Sequence, residues 1–332
     1  MFIVESYPLA VALCCVTMLC WGSWANTQKL AGEKWRFELY YWDYVFGVVI
    51  LTTISAFTLG SFGSAGRSFI EDAGQAYFEY LALALLGGVV FNAANILLVA
   101  AIAIAGMSVA FPVGIGLALV LGVLINFIAK QQGNPVLLAV GVALITAAIV
   151  LDALAYRSLP GGKSKGGAKG LVLSVVAGVL MSLFYFLVAH GLTKDFAAPS
   201  GGYMTPYTAV YFFALGIFVS NLIFNRVLMA KPFVGEPVTF ADYKKGTPWQ
   251  HSMGILGGII WAIGMTLSML AAGTAGTPVS YGLGQGATMV AAVWGVFVWR
   301  EFREAPKSAW PLIWLMFAGY IIGLGILVWA GA

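Results

Sequence analysis

The feature that most constrains this chain is a series of ten apolar stretches, each about 20 residues long, separated by short polar breaks. A bilayer core of roughly 30 Å takes about 20 helical residues to cross at 1.5 Å each. The stretches fall near residues 8–28, 38–60, 80–105, 107–129, 135–156, 170–190, 206–227, 251–273, 278–299 and 309–330. In hydrocarbon every backbone N–H and C=O needs a partner within the protein, so spanning segments are helices or closed barrels. Continuous apolar runs of this length, without strict alternation, predict helices. Charged residues make up 9% of the 332 positions, against roughly 25% in soluble domains. That scarcity excludes a soluble enzyme, a nucleic-acid binder and a disordered regulator. The expectation is an all-α polytopic membrane protein with ten transmembrane helices. Glu5, and no basic segment, precedes the first stretch, so it is read as a membrane helix and not as a leader.

Basic residues assign the sides. The loops after spans 1, 5, 7 and 9 hold Lys29, Lys34 and Arg36; Arg157, Lys163, Lys165 and Lys169; Arg226, Lys231, Lys244 and Lys245; and Arg300, Arg303 and Lys307. The opposite side has Arg67, Lys130 and Lys194. Fourteen of 17 basic residues therefore mark one face, which predicts a multi-pass protein of the cytoplasmic membrane with both termini outside.

The chain also repeats itself. Residues 87–123 align without gaps to residues 257–293, a constant shift of 170 that pairs Gly87 with Gly257, Gly88 with Gly258, Gly106 with Gly276 and Gly114 with Gly284. The shift carries spans 3 and 4 onto spans 8 and 9. Five spans separate the copies, so they lie in opposite orientation across the membrane, an inverted repeat of the kind on which many secondary transporters run. The organisation expected is residues 1–156 as a first five-helix half, 157–169 as a basic cytoplasmic linker, and 170–332 as a second, inverted five-helix half.

Chemistry of a catalytic kind is absent. There is no HExxH and no GxSxG, and His190 and His251 fall at span ends on opposite sides. Gly162-Lys163-Ser164 lacks the Gly that a P-loop requires at position 157, where Arg157 stands. Cys14, Cys15 and Cys20 share one span and offer neither a disulfide framework nor a metal-ligand spacing. No enzyme activity and no cofactor are expected, and no motif specifies an oligomeric state. Pro112 lies inside span 4, where it removes a backbone hydrogen bond and marks either a packing kink or an exposed carbonyl.

Polar residues inside the spans carry the functional reading, because burying them in hydrocarbon is expensive. Trp21, Trp24 and Gln28 share a face of span 1, Asn92 and Asn95 a face of span 3, and Tyr281, Gln285 and Thr288 a face of span 9, with Trp261 at mid-depth in span 8. Amides supply paired donors and acceptors while indole and phenol rings stack on sugar or heterocycle faces, so the set suits an uncharged polar solute. Interhelical hydrogen bonding is the alternative role for each. Asp43 sits about five residues into span 2 and is either a proton- or ion-coupling carboxylate or an interfacial acid pairing with Lys34 or Arg36. Asp152 and Glu301 are closer to span ends and to basic residues.

The segments Met18–Lys29, Tyr41-Trp42-Asp43-Tyr44 and Ser280–Gly286 resemble those of the drug/metabolite transporter superfamily, and within it the glucose/ribose porter and ureide permease branch. The resemblance implies ten spans around a central cavity lined by spans 1, 3, 4, 6, 8 and 9, with proton- or sodium-coupled uptake of a sugar, ureide or nucleobase- or nucleoside-like solute. A multidrug, organic-cation or metabolite exporter of the same superfamily is the alternative. The long nucleotide-motif loop of the plant ureide permeases is reduced here to the short basic linker, so nucleotide regulation does not carry over.

Overall fold

The structure is a computed structural model that describes residues 1–32, 34–159 and 167–332. The middle of the expected basic linker, with Lys163 and Lys165, lies outside the described residues. Among the described residues ten helices are long and apolar enough to cross a membrane: α1 (Tyr7–Ala31), α2 (Phe37–Phe57), α3 (Phe78–Ala105), α4 (Val113–Lys130), α5 (Pro135–Arg157), α6 (Ala168–His190), α7 (Pro206–Ala230), α8 (Pro248–Ala275), α9 (Thr277–Val298) and α10 (Ala309–Gly331).

Local sequence sets the ends. Pro135, Pro206 and Pro248 occupy first helical positions, where a missing N–H costs nothing. Asn134 accepts from the N–H groups of Val136 and Leu137, and Thr247 and Gln250 form a reciprocal capping box. The α3–α4 and α8–α9 corners turn on Gly106 and Gly276, at φ 78° and 82°, a conformation that a Cβ disfavours. Pro112 falls in a π-helical turn, Phe111–Ile115, that precedes the regular part of α4.

Helix α3 packs on α6 and α7, and α8 packs on α1 and α2. Helix α4 meets α6 and α9, α9 also meets α1, α2 meets α7, and α5 pairs with α10. When five is added to or subtracted from its helix numbers, each pairing turns into another of the set or, for α2–α7, α4–α9 and α5–α10, into itself. Backbone approaches follow the same rule. A Cβ on Gly47 would fall on the carbonyl of Ile255, and one on Gly216 on that of Leu85; Gly258 stands likewise against Tyr44 and Gly88 against Phe213. These contacts interchange under shifts of 169 (47 to 216, 44 to 213) and 170 (85 to 255, 88 to 258). Without a hydrophobic drive between helices in lipid, such close backbone packing holds a bundle together.

The two ends of the bundle differ. At the end away from most basic residues, Asp72 is fully buried, accepts from the Thr205 N–H at 2.7 Å and pairs with Arg67 at 2.9 Å. The same guanidinium donates to the carbonyls of Pro199, Ser200 and Tyr203. At the basic end, Lys29 pairs with Glu301 at 2.6 Å and Arg36 with Glu38 at 2.6 Å.

Candidate solute site

Two spanning helices are interrupted where candidate residues lie. Helix α1 breaks at Trp24-Ala25 and α9 at Gln285-Gly286. Each break is closed in the same way. Thr27 donates its N–H and hydroxyl to the Trp24 carbonyl at 3.1 and 2.7 Å, and Thr288 its N–H and hydroxyl to the Gln285 carbonyl at 3.3 and 3.0 Å. A threonine three residues on thus holds the backbone while the residue at the break turns its side chain inward. Broken helices of this kind occur in membranes where backbone lines a cavity.

Between the breaks lies a cavity of about 420 Å³ lined by Trp21, Trp24, Gln28, Asn95, Trp261, Gln285 and Thr288, with Phe91, Ile102, Ile115, Met181 and Phe184 among its apolar walls. Trp261 forms the floor: it stacks on Trp21 at 5.8 Å and 12°, on Phe213 at 5.7 Å and 22°, and meets Phe91 at 4.4 Å. Gln28, Ile102, Ala103 and Ile115 belong to the turns nearest the basic end, so the cavity runs from mid-depth toward that end. On the other side Tyr185 donates to Ser280 at 3.1 Å, Ser280 donates to the Ser268 carbonyl at 2.8 Å, and Tyr281 donates to the Ala118 carbonyl at 3.0 Å. These hydroxyls seal the cavity with buried, satisfied bonds.

The polar groups of the wall are sparse and open. The side-chain amides of Gln28 and Gln285 have no hydrogen-bond partner among the described residues, and the Trp21 indole donates to the Trp261 carbonyl at 3.2 Å. Asn95 donates to the Tyr41 hydroxyl at 3.1 Å, which leaves its carbonyl oxygen for the cavity. Among the described residues no carboxylate and no cationic side chain lines it. A flat neutral solute with both N–H and C=O groups fits this wall, amides to its edge and indoles to its faces.

Of the residues expected from sequence, the structure brings seven into this cavity. Asn92 and Tyr281 lie behind it, both fully buried. Asn92 accepts from Tyr41 at 2.9 Å and donates to Ser220 at 2.9 Å, while Tyr281 holds α9 to α4 and α6. The residues share a helical face with cavity residues, but neighbouring helices cover them.

Asp43 is placed apart from the cavity. Its carboxylate, 3% exposed, accepts from the Tyr243 hydroxyl at 2.5 Å and stands 2.8 Å from Nδ1 of His251. Arg36, a partner considered for it, turns instead to Glu38. Trp35 packs edge-on against His251 at 5.4 Å. Burial, and then the carboxylate that it faces, hold the Tyr243 phenol above its ordinary pKa, so it remains a donor. Tyr243 and His251 were not visible as site residues in the sequence, since each stands 200 or more positions from Asp43. Glu301 joins Lys29 and the Tyr156 hydroxyl, and Asp152 is buried within α5.

Comparison with known proteins follows this architecture. Ureide permease 1 of Arabidopsis thaliana is 22% identical over 397 aligned positions, covering 99% of this chain and 98% of that one. Ureide permease 2 of the same plant is 23% identical over 396 positions with the same coverage. The aligned length exceeds 332, so these relatives carry segments that this chain lacks. A solved crystal structure superposes with a TM-score of 0.64 over 97% of this chain and 96% of that chain at 15% identity, a likeness of fold. The family model described as Ureide permease matches residues 161–330, just over half of the sequence. The chain is a multi-pass membrane protein that belongs to the ureide permease family.

Proposed function

We propose that this protein is a secondary transporter that takes up an uncharged polar solute of the ureide or nucleobase- and nucleoside-like class, with sugars as the neighbouring possibility. The observation that carries the reading is the cavity itself: amides of Gln28 and Gln285 that have no partner among the described residues, between the indoles of Trp24 and Trp261, with no charged side chain among the described residues of the wall. Solute recognition is assigned to Trp21, Trp24, Gln28, Asn95, Trp261, Gln285 and Thr288, with Asn92 and Tyr281 as the framework behind them. The full-length similarity to plant proteins named for ureides supports the solute class.

The interchange of helix contacts supports alternating access. In this reading residues 1–156 and 170–332 are inverted five-helix repeats joined by the basic linker, and rocking of one helix group on the other moves the opening from one face to the other. With the basic loops in the cytoplasm and both termini outside the cytoplasmic membrane, the structure is an inward-open form. Coupling is to a proton or sodium gradient, with Asp43 as the ion-coupling carboxylate. The absence of a carboxylate among the described residues of the cavity wall argues against export of organic cations.

Uptake into proteoliposomes tests this. Allantoin, nucleosides, ribose, rhamnose, glucose and ethidium are offered with imposed pH or sodium gradients. Saturable, gradient-driven uptake of a neutral ureide or nucleobase-like solute is expected. Saturable ethidium efflux with no movement of the neutral solutes would overturn it.

A further inference from the structure

Asp43 leaves one question open, because it does not touch the cavity. It lies in the seventh position of α2, roughly 9 Å along the helix from its start at 1.5 Å per residue. Its carboxylate is closed in by Tyr243 at 2.5 Å, by His251 at 2.8 Å, and by Gly254, whose missing side chain makes room for the Asp43 Cβ. An acid in this setting is neither an interfacial anchor nor a partner for a lysine. It is the acceptor of two directed hydrogen bonds, one of them from the only kind of side chain that exchanges a proton near neutral pH.

The geometry also says where a proton enters. Oδ2 of Asp43 takes the Nδ1 side of the imidazole, so in the neutral ring Nε2 is the free acceptor. Nε2 faces the strap beside Gly246, and the His251 side chain is 26% exposed while that of Asp43 is 3% exposed. Water reaches the histidine and not the acid. A proton taken from water onto Nε2 turns the pair from net −1 to net 0. No other atom need leave.

Tyr243 sits on a strap, residues 231–247, that joins α7 to α8. Arg36 donates to the strap carbonyls of Val234 at 3.1 Å and Glu236 at 2.9 Å, the Val238 N–H donates to Met229 at 3.0 Å, and Phe240 packs on Trp42 at 5.2 Å under Arg226. The strap therefore ties the end of α7, which packs on α3, to the start of α2, which packs on α8. Its link crosses between the two helix groups that flank the cavity, at the end where the cavity opens. One turn before Asp43 on α2, Tyr40 bonds Thr27 at 2.7 Å, and on the opposite face of the helix Tyr41 accepts from Asn95, a cavity residue, at 3.1 Å.

We propose that Asp43, His251 and Tyr243 form the binding site of the coupling proton, and that its occupancy reaches the solute through the strap and α2 rather than by contact with the solute. This rests on the transport reading above and specifies its ion and its site. The titratable and charged groups that face the pair are Tyr40 on α2, Tyr243 on the strap and the Arg36–Glu38 ion pair before and within α2; Asp242 is turned away to Lys245.

The chain has two histidines, which makes a direct test available. The full-length protein labelled with ¹⁵N-histidine gives two imidazole signals, assigned with His190→Gln, and the His251 signal is followed through pH with no solute present. The Nδ1 chemical shift of His251 is expected to change in Asp43→Asn, which removes the carboxylate that faces Nδ1, and to change less in Tyr243→Phe. His251 imidazole signals that are the same in wild type and Asp43→Asn overturn the site, whatever the solute. In proteoliposomes loaded with a pH dye and driven by an allantoin gradient, the proton-to-solute flux ratio is expected to fall at least about tenfold in His251→Gln, with solute exchange slowed but present. A ratio equal to wild type overturns the proposal. A wild-type protein that moves none of the solute panel refutes the transport reading instead, while the titration arm still judges the site.

Discussion

The α2–α8 and α7–α3 interfaces share a backbone plan and differ in chemistry. In one, Gly47 and Gly258 lie against the carbonyls of Ile255 and Tyr44; in the other, Gly216 and Gly88 lie against those of Leu85 and Phe213. On the first stand Asp43 and His251. Moved by the same shifts of 169 and 170, those positions are Phe212 and Leu81. The reverse holds for the amides: Asn92 and Asn95 of α3 become Ala262 and Met265 on α8. What is shared between the two halves is what the membrane demands, close approach of helices through glycine. What differs is the set of polar side chains to which solute recognition and ion coupling are assigned in the proposed function. Two interfaces with one backbone plan thus carry unlike polar side chains.

The largest effect that tests this comparison is on the shared part. Gly88→Leu and Gly258→Leu each place a side chain on a carbonyl, an overpacking that costs about 1–3 kcal/mol or more. The thermal midpoint of the detergent-solubilised protein is expected to fall by about 5–10 °C in both, against no measurable change for Gly325→Leu, where a Cβ meets open space. A large drop for one glycine alone would break the equivalence of the interfaces. The next effect is on the unshared part. Asn95→Leu leaves a solute group without its partner, about 1–2 kcal/mol, so the half-saturation concentration for uptake is expected to rise on the order of tenfold. Met265→Leu, the matching position on α8, conserves volume and should change it less than about threefold. Equal effects would mean that the cavity reads the solute from both halves. The smallest effect belongs to Lys29→Ala. Its partner Glu301 and the lysine are both partly exposed, and such a pair contributes at most about 1 kcal/mol, screened by salt. A thermal midpoint within about 2 °C of wild type at low and high salt is the expected result, and a larger loss would show the basic end to be held as tightly as the opposite end.

Much of this was legible in the chain. The spans were, because the bilayer fixes a length and forbids unpaired backbone, and each observed helix begins within a few residues of its apolar run, except that α4 has its π-helical turn first. The polar candidates were legible as a set because amides and indoles stand out against an apolar background. Asn92 and Asn95 could not be told apart, however. They lie three residues apart on α3, and the choice between cavity and Ser220 is made by α7, more than 120 positions away. The breaks at Trp24 and Gln285 were not legible either, since nothing in WANT or QGAT announces a threonine-closed interruption. His251 was set aside as a residue at a span end. Its significance comes from Asp43, and only tertiary packing joins the two.

The asymmetry of the acid–histidine pair has a bioenergetic consequence. If the scaffold holds one such pair, each cycle carries one proton with one neutral solute, and the accumulation it can sustain has a ceiling. One pH unit, about 1.4 kcal/mol, supports a concentration ratio of about ten, and each ~59 mV of membrane potential supports another factor of about ten. A second pair at Phe212 and Leu81 would square that ratio at the cost of a second proton in each cycle. Under the proposed coupling, a single Asp43–His251 pair fixes the stoichiometry at one proton for each solute.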